Sequence, residues 1–148
     1  KRQVYQNPNC QLFMPTVAQE VAFAAKSEDF AWEIMELFGI AHLSKRHPHS
    51  LSEGQKRRVS IAAVAASQPE LLLLDEPTVG QDGEGLRTLL HALNHLHTRT
   101  GSTIVTVTHD RRCASAMCDR AAWLKEGRIE KTGGPELIEA VWGDSAAM

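Results

Sequence analysis

Residues 71–76 read Leu-Leu-Leu-Leu-Asp-Glu, and no other stretch restricts the fold as strongly. Four consecutive leucines show no alternation, so both faces of the segment need cover. That fits a central strand of a parallel α/β sheet better than an antiparallel edge. Asp75 and Glu76 then fall where the strand leaves the sheet, the end at which open α/β sheets bind ligands. Adjacent carboxylates there suit two tasks, holding Mg²⁺ and polarising a water. The same residues also fit a buried strand closed by an acidic turn.

A second device precedes this strand. Ser52 followed by Gln55 forms a capping box with Ser52 as N-cap. The helix it opens runs through Val59, Ile61, Ala62, Val64 and Ala65 and stops before Pro69. Free backbone N–H groups and the helix dipole make such a start a place for an anion such as phosphate, although ordinary helices use the same box.

Around these two devices the order of elements points to an α/β protein with a helical block in front. Gln3 to Gln6 read as the end of a strand before the turn Asn7-Pro8-Asn9. Thr16 with Gln19 is a second capping box, opening a helix through Phe23. The spacing predicts a helix over 29–38 with Phe30, Ile34, Leu37 and Phe38 on one face and Gly39 as its stop. A short helical turn over 42–46 ends at Pro48. Beyond residue 70 the elements alternate. Leu86 to Leu96 is an amphipathic helix closed by Gly101, and Thr103 to Thr108 is a β-branched strand ending in His109-Asp110. Residues 111–117 form a short helix. Two strands follow, over 121–124 and 128–131, around a turn at Glu126-Gly127. The last helix spans 135–141, and a frayed tail begins at Gly143. This alternation argues for a parallel sheet.

Composition sets the limits. With 148 residues, 43% hydrophobic and 23% charged, the chain can form a domain with a real core. A formal net charge of −2 gives no general pull toward nucleic acid or anionic lipid. No apolar run approaches the roughly 20 residues that span a bilayer, and Lys1 to Gln6 lack the apolar core of a signal peptide. Three cysteines, Cys10, Cys113 and Cys118, cannot all pair within one chain, so reduced thiols are expected. His91, His95 and His97 invite a metal reading, since His91 and His95 lie one turn apart, but nothing joins that pair as a third ligand, and an exposed helix face accounts for them.

Together the two devices resemble the ATPase domain of ATP-binding-cassette (ABC) transporters. Leu51-Ser52-Glu53-Gly54-Gln55 looks like the signature sequence of that family, and Leu71 to Glu76 like its Walker B strand with the adjoining glutamate. Roughly 20 positions separate them, as the intervening helix requires. The resemblance implies a partial P-loop NTPase fold of class α/β: a Q-loop region over about 1–15, a helical subdomain with the signature over about 16–67, and an α/β core over about 68–148 that ends in a β-hairpin and helix.

The resemblance also implies roles. Gln6 takes the place of the Q-loop glutamine, which contacts Mg²⁺ and the attacking water. Asp75 would anchor Mg²⁺, Glu76 would serve as general base, and His109 matches the switch histidine that bonds the γ-phosphate. Ser52, Gly54 and Gln55 would face the ATP of a second cassette, and Asp82, in the D-loop, would communicate across the pair. Two positions depart from the pattern. Glu53 stands where glycine is commonest, and Gln81 replaces the usual leucine. Glu53 suits the helix dipole but would repel a triphosphate. Lys56, Arg57 and Arg58 offset it or form a solvated helix face.

Gln6-Asn7-Pro8, Gln11-Leu12-Phe13 and Val21-Ala22-Phe23 further resemble the cobalt-type and energy-coupling-factor importers of vitamins and metals. The implied ligands are ATP and Mg²⁺. The implied partners are a second ABC ATPase domain, as homo- or heterodimer, and a transmembrane subunit met through Phe13 to Phe23, at the cytoplasmic face of the membrane. No Gly-x-x-x-x-Gly-Lys-Ser/Thr occurs in the 148 residues. In the resembled family this P-loop precedes the Q-loop, so the chain is expected to be an N-terminally shortened piece of a cassette, weak in ATP binding and inactive alone. A non-transport ABC protein of translation or DNA repair is the alternative; the interval of about 45 residues between Q-loop and signature is too short for the coiled coil of the DNA-repair members, while the translation members, which usually carry two cassettes, stay open. A non-catalytic interaction fragment is the other alternative.

Overall fold

The computed structural model describes residues 2–4 and 12–145. The chain forms two compact units, 1–107 and 108–148.

In the first unit, β1 (Arg2–Val4), β2 (Leu71–Asp75) and β3 (Thr103–Val107) form a parallel sheet in the order β1-β2-β3. The leucine strand is the central one, as its sequence predicts. Its burial nevertheless alternates: Leu72 and Leu74 are buried, whereas Leu71 and Leu73 are half-buried. Leu71, Leu73 and Asp75 pair with Thr103, Val105 and Val107 of β3, and partners in a parallel pair share a face. Val105 and Val107 are 46% and 60% exposed. The expectation of two covered faces therefore holds for one face only; the described elements leave the Asp75 face half open.

Between β1 and β2 lies the helical block: α1 (Val17–Ala22), α2 (Glu28–Leu37) and α3 (Glu53–Ala65). Thr16 and Ser27 cap α1 and α2 through the N–H groups of Gln19 and Phe30. The buried stripe of α2 is Ala31, Ile34, Met35 and, at its C-cap, Phe38, a 3.6-residue stripe. The predicted stripe is rotated from this one, because Phe30 and Leu37 sit at its edges, half-buried. Ala41–Leu43 is a 3₁₀ turn, shorter than expected. Pro48 does not close it but opens a second such turn, Pro48–Ser50, since its fixed φ suits a first helical position.

The helix α4 (Gly83–Thr100) joins β2 to β3 and buries Leu86, Leu89, Ala92, Leu93 and Leu96. Gly101 ends it at φ 69°, the left-handed conformation that glycine adopts at no steric cost. His91, His95 and His97 are exposed.

The second unit contains α5 (Arg111–Met117), the antiparallel pair β4 (Ala121–Lys125) and β5 (Arg128–Gly133), and α6 (Glu136–Ser145). Glu126 and Gly127 have φ 50° and 75°, which makes the two-residue hairpin connection a type I′ turn. The helix α6 starts after Pro135 and continues past Gly143, where the sequence predicts fraying. Its Leu137 and Ile138 are buried. Cys113 is buried, and burial pushes the Cys118 thiol up; Cys10 lies outside the described residues. No described helix is long and apolar enough to cross a membrane.

Candidate functional site

The site is built from the exit of β2. Asp75 is the last strand residue, on the half-open face. Glu76 follows with φ 45°, a left-handed conformation that costs a non-glycine residue about 1–3 kcal/mol and gathers at functional sites. Its N–H still donates to the Val107 carbonyl at 2.9 Å, so the sheet ladder extends to this residue as the chain turns away. Two consecutive turns follow, closed by Val79 N–H to the Glu76 carbonyl at 3.3 Å and Gln81 N–H to the Thr78 carbonyl at 3.1 Å. They lead to Asp82, the N-cap of α4, which accepts from Gly85 N–H at 2.7 Å. Sequence reasoning gives Asp82 a role across a dimer; within the chain it is a helix cap.

The signature turn has the predicted form. Ser52 Oγ accepts from Gln55 N–H at 3.3 Å, and Gln55 Oε1 accepts from Ser52 N–H at 3.1 Å, so the capping box is closed on both sides. Glu53 sits in the first turn, and Lys56 Nζ pairs with it at 3.0 Å. Gly54 is buried against the loop after β2: a Cβ at this position would drive into the Gly80 carbonyl oxygen. Gln81 Nε2 donates to the Gly54 carbonyl at 2.9 Å. The start of α3 and the loop following the two carboxylates are therefore in backbone-to-backbone contact.

Arg57 corrects the expectation of a solvated helix face, since it is only 4% exposed. Burial pulls its guanidinium pKa below the ordinary value, while Asp75, Glu53 and Glu76 hold it up. A buried cation is tolerated where carboxylates surround it, so the acidic strand exit accounts for Arg57. Nothing in the local sequence separates Arg57 from its neighbours. Glu20 was missed in the same way. It is 8% exposed and accepts from the N–H groups of Phe13 and Met14 at 2.8 and 2.7 Å.

The remaining expected site residues divide. His109 belongs to the second unit, two residues beyond β3, and is exposed. Gln6 lies outside the described residues. The first unit thus brings together Ser52, Gly54 and Gln55 with the 76–82 loop. No group of three His, Cys, Asp or Glu side chains gathers among the described residues. Two adjacent carboxylates fit Mg²⁺, which keeps most of its waters and takes phosphate oxygens as further ligands. They do not make a closed zinc cage.

Residues 2–79 match the family described as ABC transporter. The chain is 38% identical over 143 residues to the energy-coupling factor transporter ATP-binding protein EcfA of Methanoculleus marisnigri, covering 91% of this chain and 52% of that one. Against EcfA2 of Latilactobacillus sakei the identity is 40% over 146 residues, with coverage of 93% and 50%. The chain thus spans about half the length of the curated relatives it matches. Among solved structures, cbiO1 of Clostridium perfringens, part of the ABC transporter complex cbiONQ, superposes with a TM-score of 0.76 at 35% identity, over 98% of this chain and 60% of that one. The dimeric post-hydrolysis state of the ATP-binding cassette MJ0796, bound to ADP and Pi, gives 0.76 at 27% identity, over 90% and 62%.

Proposed function

The chain belongs to the ABC transporter family, and from that premise we propose that it is the signature-and-carboxylate part of a nucleotide-binding subunit that couples ATP hydrolysis to membrane transport. The observation that carries the reading is the contact of the signature turn with the loop leaving the Asp75-Glu76 strand, made through Gly54, Gly80 and Gln81. It puts two motifs of one cassette in a fixed relation, as composite sites between paired cassettes require.

In this reading Glu76 orients and deprotonates the water that attacks the γ-phosphate, and Asp75 would hold Mg²⁺. Bound Mg²⁺ neutralises charge on the phosphate oxygens. By the family resemblance His109 would donate to the γ-phosphate, and Gln6 would take the role of contacting the metal and the attacking water. Ser52, Gly54 and Gln55 close on the ATP of a second cassette, with Asp82 signalling across the pair. We retain 16–67 as the helical subdomain and 68–148 as the α/β core.

The transport class is uptake of a vitamin or metal ion, supported by the energy-coupling-factor relatives. The partner surface is the helical block, where Phe13 and Phe23 are 79% and 76% exposed. The two backbone donors on Glu20 hold the Phe13 segment, so the ring is presented on anchored backbone. A transmembrane subunit covers it at the cytoplasmic face of the membrane. The 148-residue chain alone binds ATP weakly and does not turn it over, for want of a phosphate-cradling loop and its lysine.

In the complete protein, Glu76→Gln retains ATP binding and lowers turnover by about 10²–10⁴, the usual worth of a positioned base. Equal turnover in that variant would remove Glu76 from the role. Glu76-dependent hydrolysis by the 148-residue chain alone would contradict the inactivity assigned to it.

A further inference from the structure

We propose that Gln81 is a positioning residue that staples the start of α3 to the loop after β2, so that the signature turn and the 80–82 segment move as one body. The inference rests on the ATPase reading above.

The Gln81 amide is used at both ends. Its Nε2 donates to the Gly54 carbonyl at 2.9 Å, and its Oε1 accepts from Arg58 Nη1 at 3.3 Å. Gly54 and Arg58 stand four apart on α3, one turn along the same side of the helix. One amide therefore bonds the backbone of Gly54 and the side-chain end of Arg58, which lie one turn apart along the α3 sequence. The backbone of Gln81 is fixed by the Thr78 carbonyl, and the next residue, Asp82, caps α4. Two glycines make the room. A Cβ on Gly85 would lie 2.5 Å from Arg58 Nη1 and 2.6 Å from Gln81 Oε1, so its bare Cα leaves space for guanidinium and amide together. A Cβ on Gly54 would displace Gly80.

Leucine, the usual residue at this place in the resembled family, has comparable bulk but neither donor nor acceptor. It would leave the part-buried Gly54 carbonyl without this bond, at the cost of a lost hydrogen bond. Motion of the signature turn on closing over a nucleotide is thereby passed to the segment that follows Asp75 and Glu76. Gln81 sets how much ATP is needed to bring the carboxylates into register, without touching substrate itself.

The test is steady-state ATP hydrolysis by the complete protein carrying Gln81→Leu, Gln81→Glu or Glu76→Gln. Gln81→Glu keeps an acceptor for Arg58 in nearly the same shape, but replaces the donor to Gly54 with a second acceptor that the carbonyl repels and adds one negative charge. Both Gln81 variants are expected to raise the KM for ATP about fivefold, the worth of one hydrogen bond, with a smaller change in kcat. Hydrogen exchange on the 148-residue chain is expected to quicken together over 53–58 and 78–82 in both. An unchanged KM in Gln81→Glu overturns the staple, and so does a rise confined to Gln81→Leu, which would mean packing and not the bond. If Gln81→Leu fails to fold, Gln81→Glu decides alone. Full turnover in Glu76→Gln would sink the ATPase reading itself, whatever the Gln81 variants do.

Discussion

Two neighbouring parallel strands, β2 and β3, each run out into a titratable pair, and the pairs are used differently. After β2 come Asp75 and Glu76, with Glu76 in a left-handed conformation and its N–H bonded to the Val107 carbonyl. After β3 come His109 and Asp110, and there the carboxylate is consumed locally. Asp110 accepts from Arg112 N–H at 2.9 Å, from its Nε at 3.1 Å and from its Nη2 at 2.9 Å. A carboxylate so occupied is a helix cap. The strained exit of β2 is backed by buried Arg57 and by the locked α3 start. Strain is stored where the surroundings are rigid enough to hold it.

The sharpest way to break this contrast is to neutralise one acid at each exit. Glu76→Gln costs turnover by two or more orders of magnitude, as above. Asp110→Asn, a near-isosteric change at a cap, is expected to cost less than the roughly 1 kcal/mol of a lost cap and to leave turnover within a few-fold; steady-state rates of the two variants side by side decide. A comparable loss in both would erase the distinction.

Gly54→Ala probes the rigidity behind the β2 exit. Helix propensity alone favours alanine by about 1 kcal/mol, but the added methyl meets the Gly80 backbone, and forced overpacking costs about 1–3 kcal/mol. Urea unfolding is expected to show net destabilisation. Unchanged or increased stability would mean that the two loops are free to part.

The smallest effect is on the β3 side. The Arg112 guanidinium, bonded to Asp110, holds that carboxyl below the usual range, and backbone N–H groups of Glu136 itself and Gly134 do the same for Glu136. A folded-state pKa below the unfolded one adds stability that is complete above the ordinary carboxylate value of about 4. That stability is lost as the pH falls through the folded values. Circular dichroism of the chain is expected to show stability flat from neutral pH down to the ordinary carboxylate range and falling below it. Asp110→Asn is expected to blunt the fall.

What the sequence reveals is what neighbours along the chain decide. The Ser52–Gln55 box, the Gly101 stop and the Glu126-Gly127 turn are local and fall where expected, and the leucine run gives the central strand. The cover over that strand is not local, so its half-open face could not be read. Arg57 looks like any helix-surface arginine until carboxylates 18 and 19 positions later are seen to neighbour it. Gln81 reads only as a departure from a pattern, because its partners lie 23 and 27 positions away. Asp82 had a local signal, an aspartate ahead of a helix, that the resemblance overshadowed.

The central claim is that the signature turn of one cassette and the carboxylate exit of another enclose the same ATP. It is tested most directly by measuring ATP that stays bound through rapid gel filtration of the complete assembly carrying Glu76→Gln, with and without Ser52→Glu. The account predicts occluded, unhydrolysed ATP in the single variant and its loss in the double variant. Occlusion indifferent to Ser52 would contradict it.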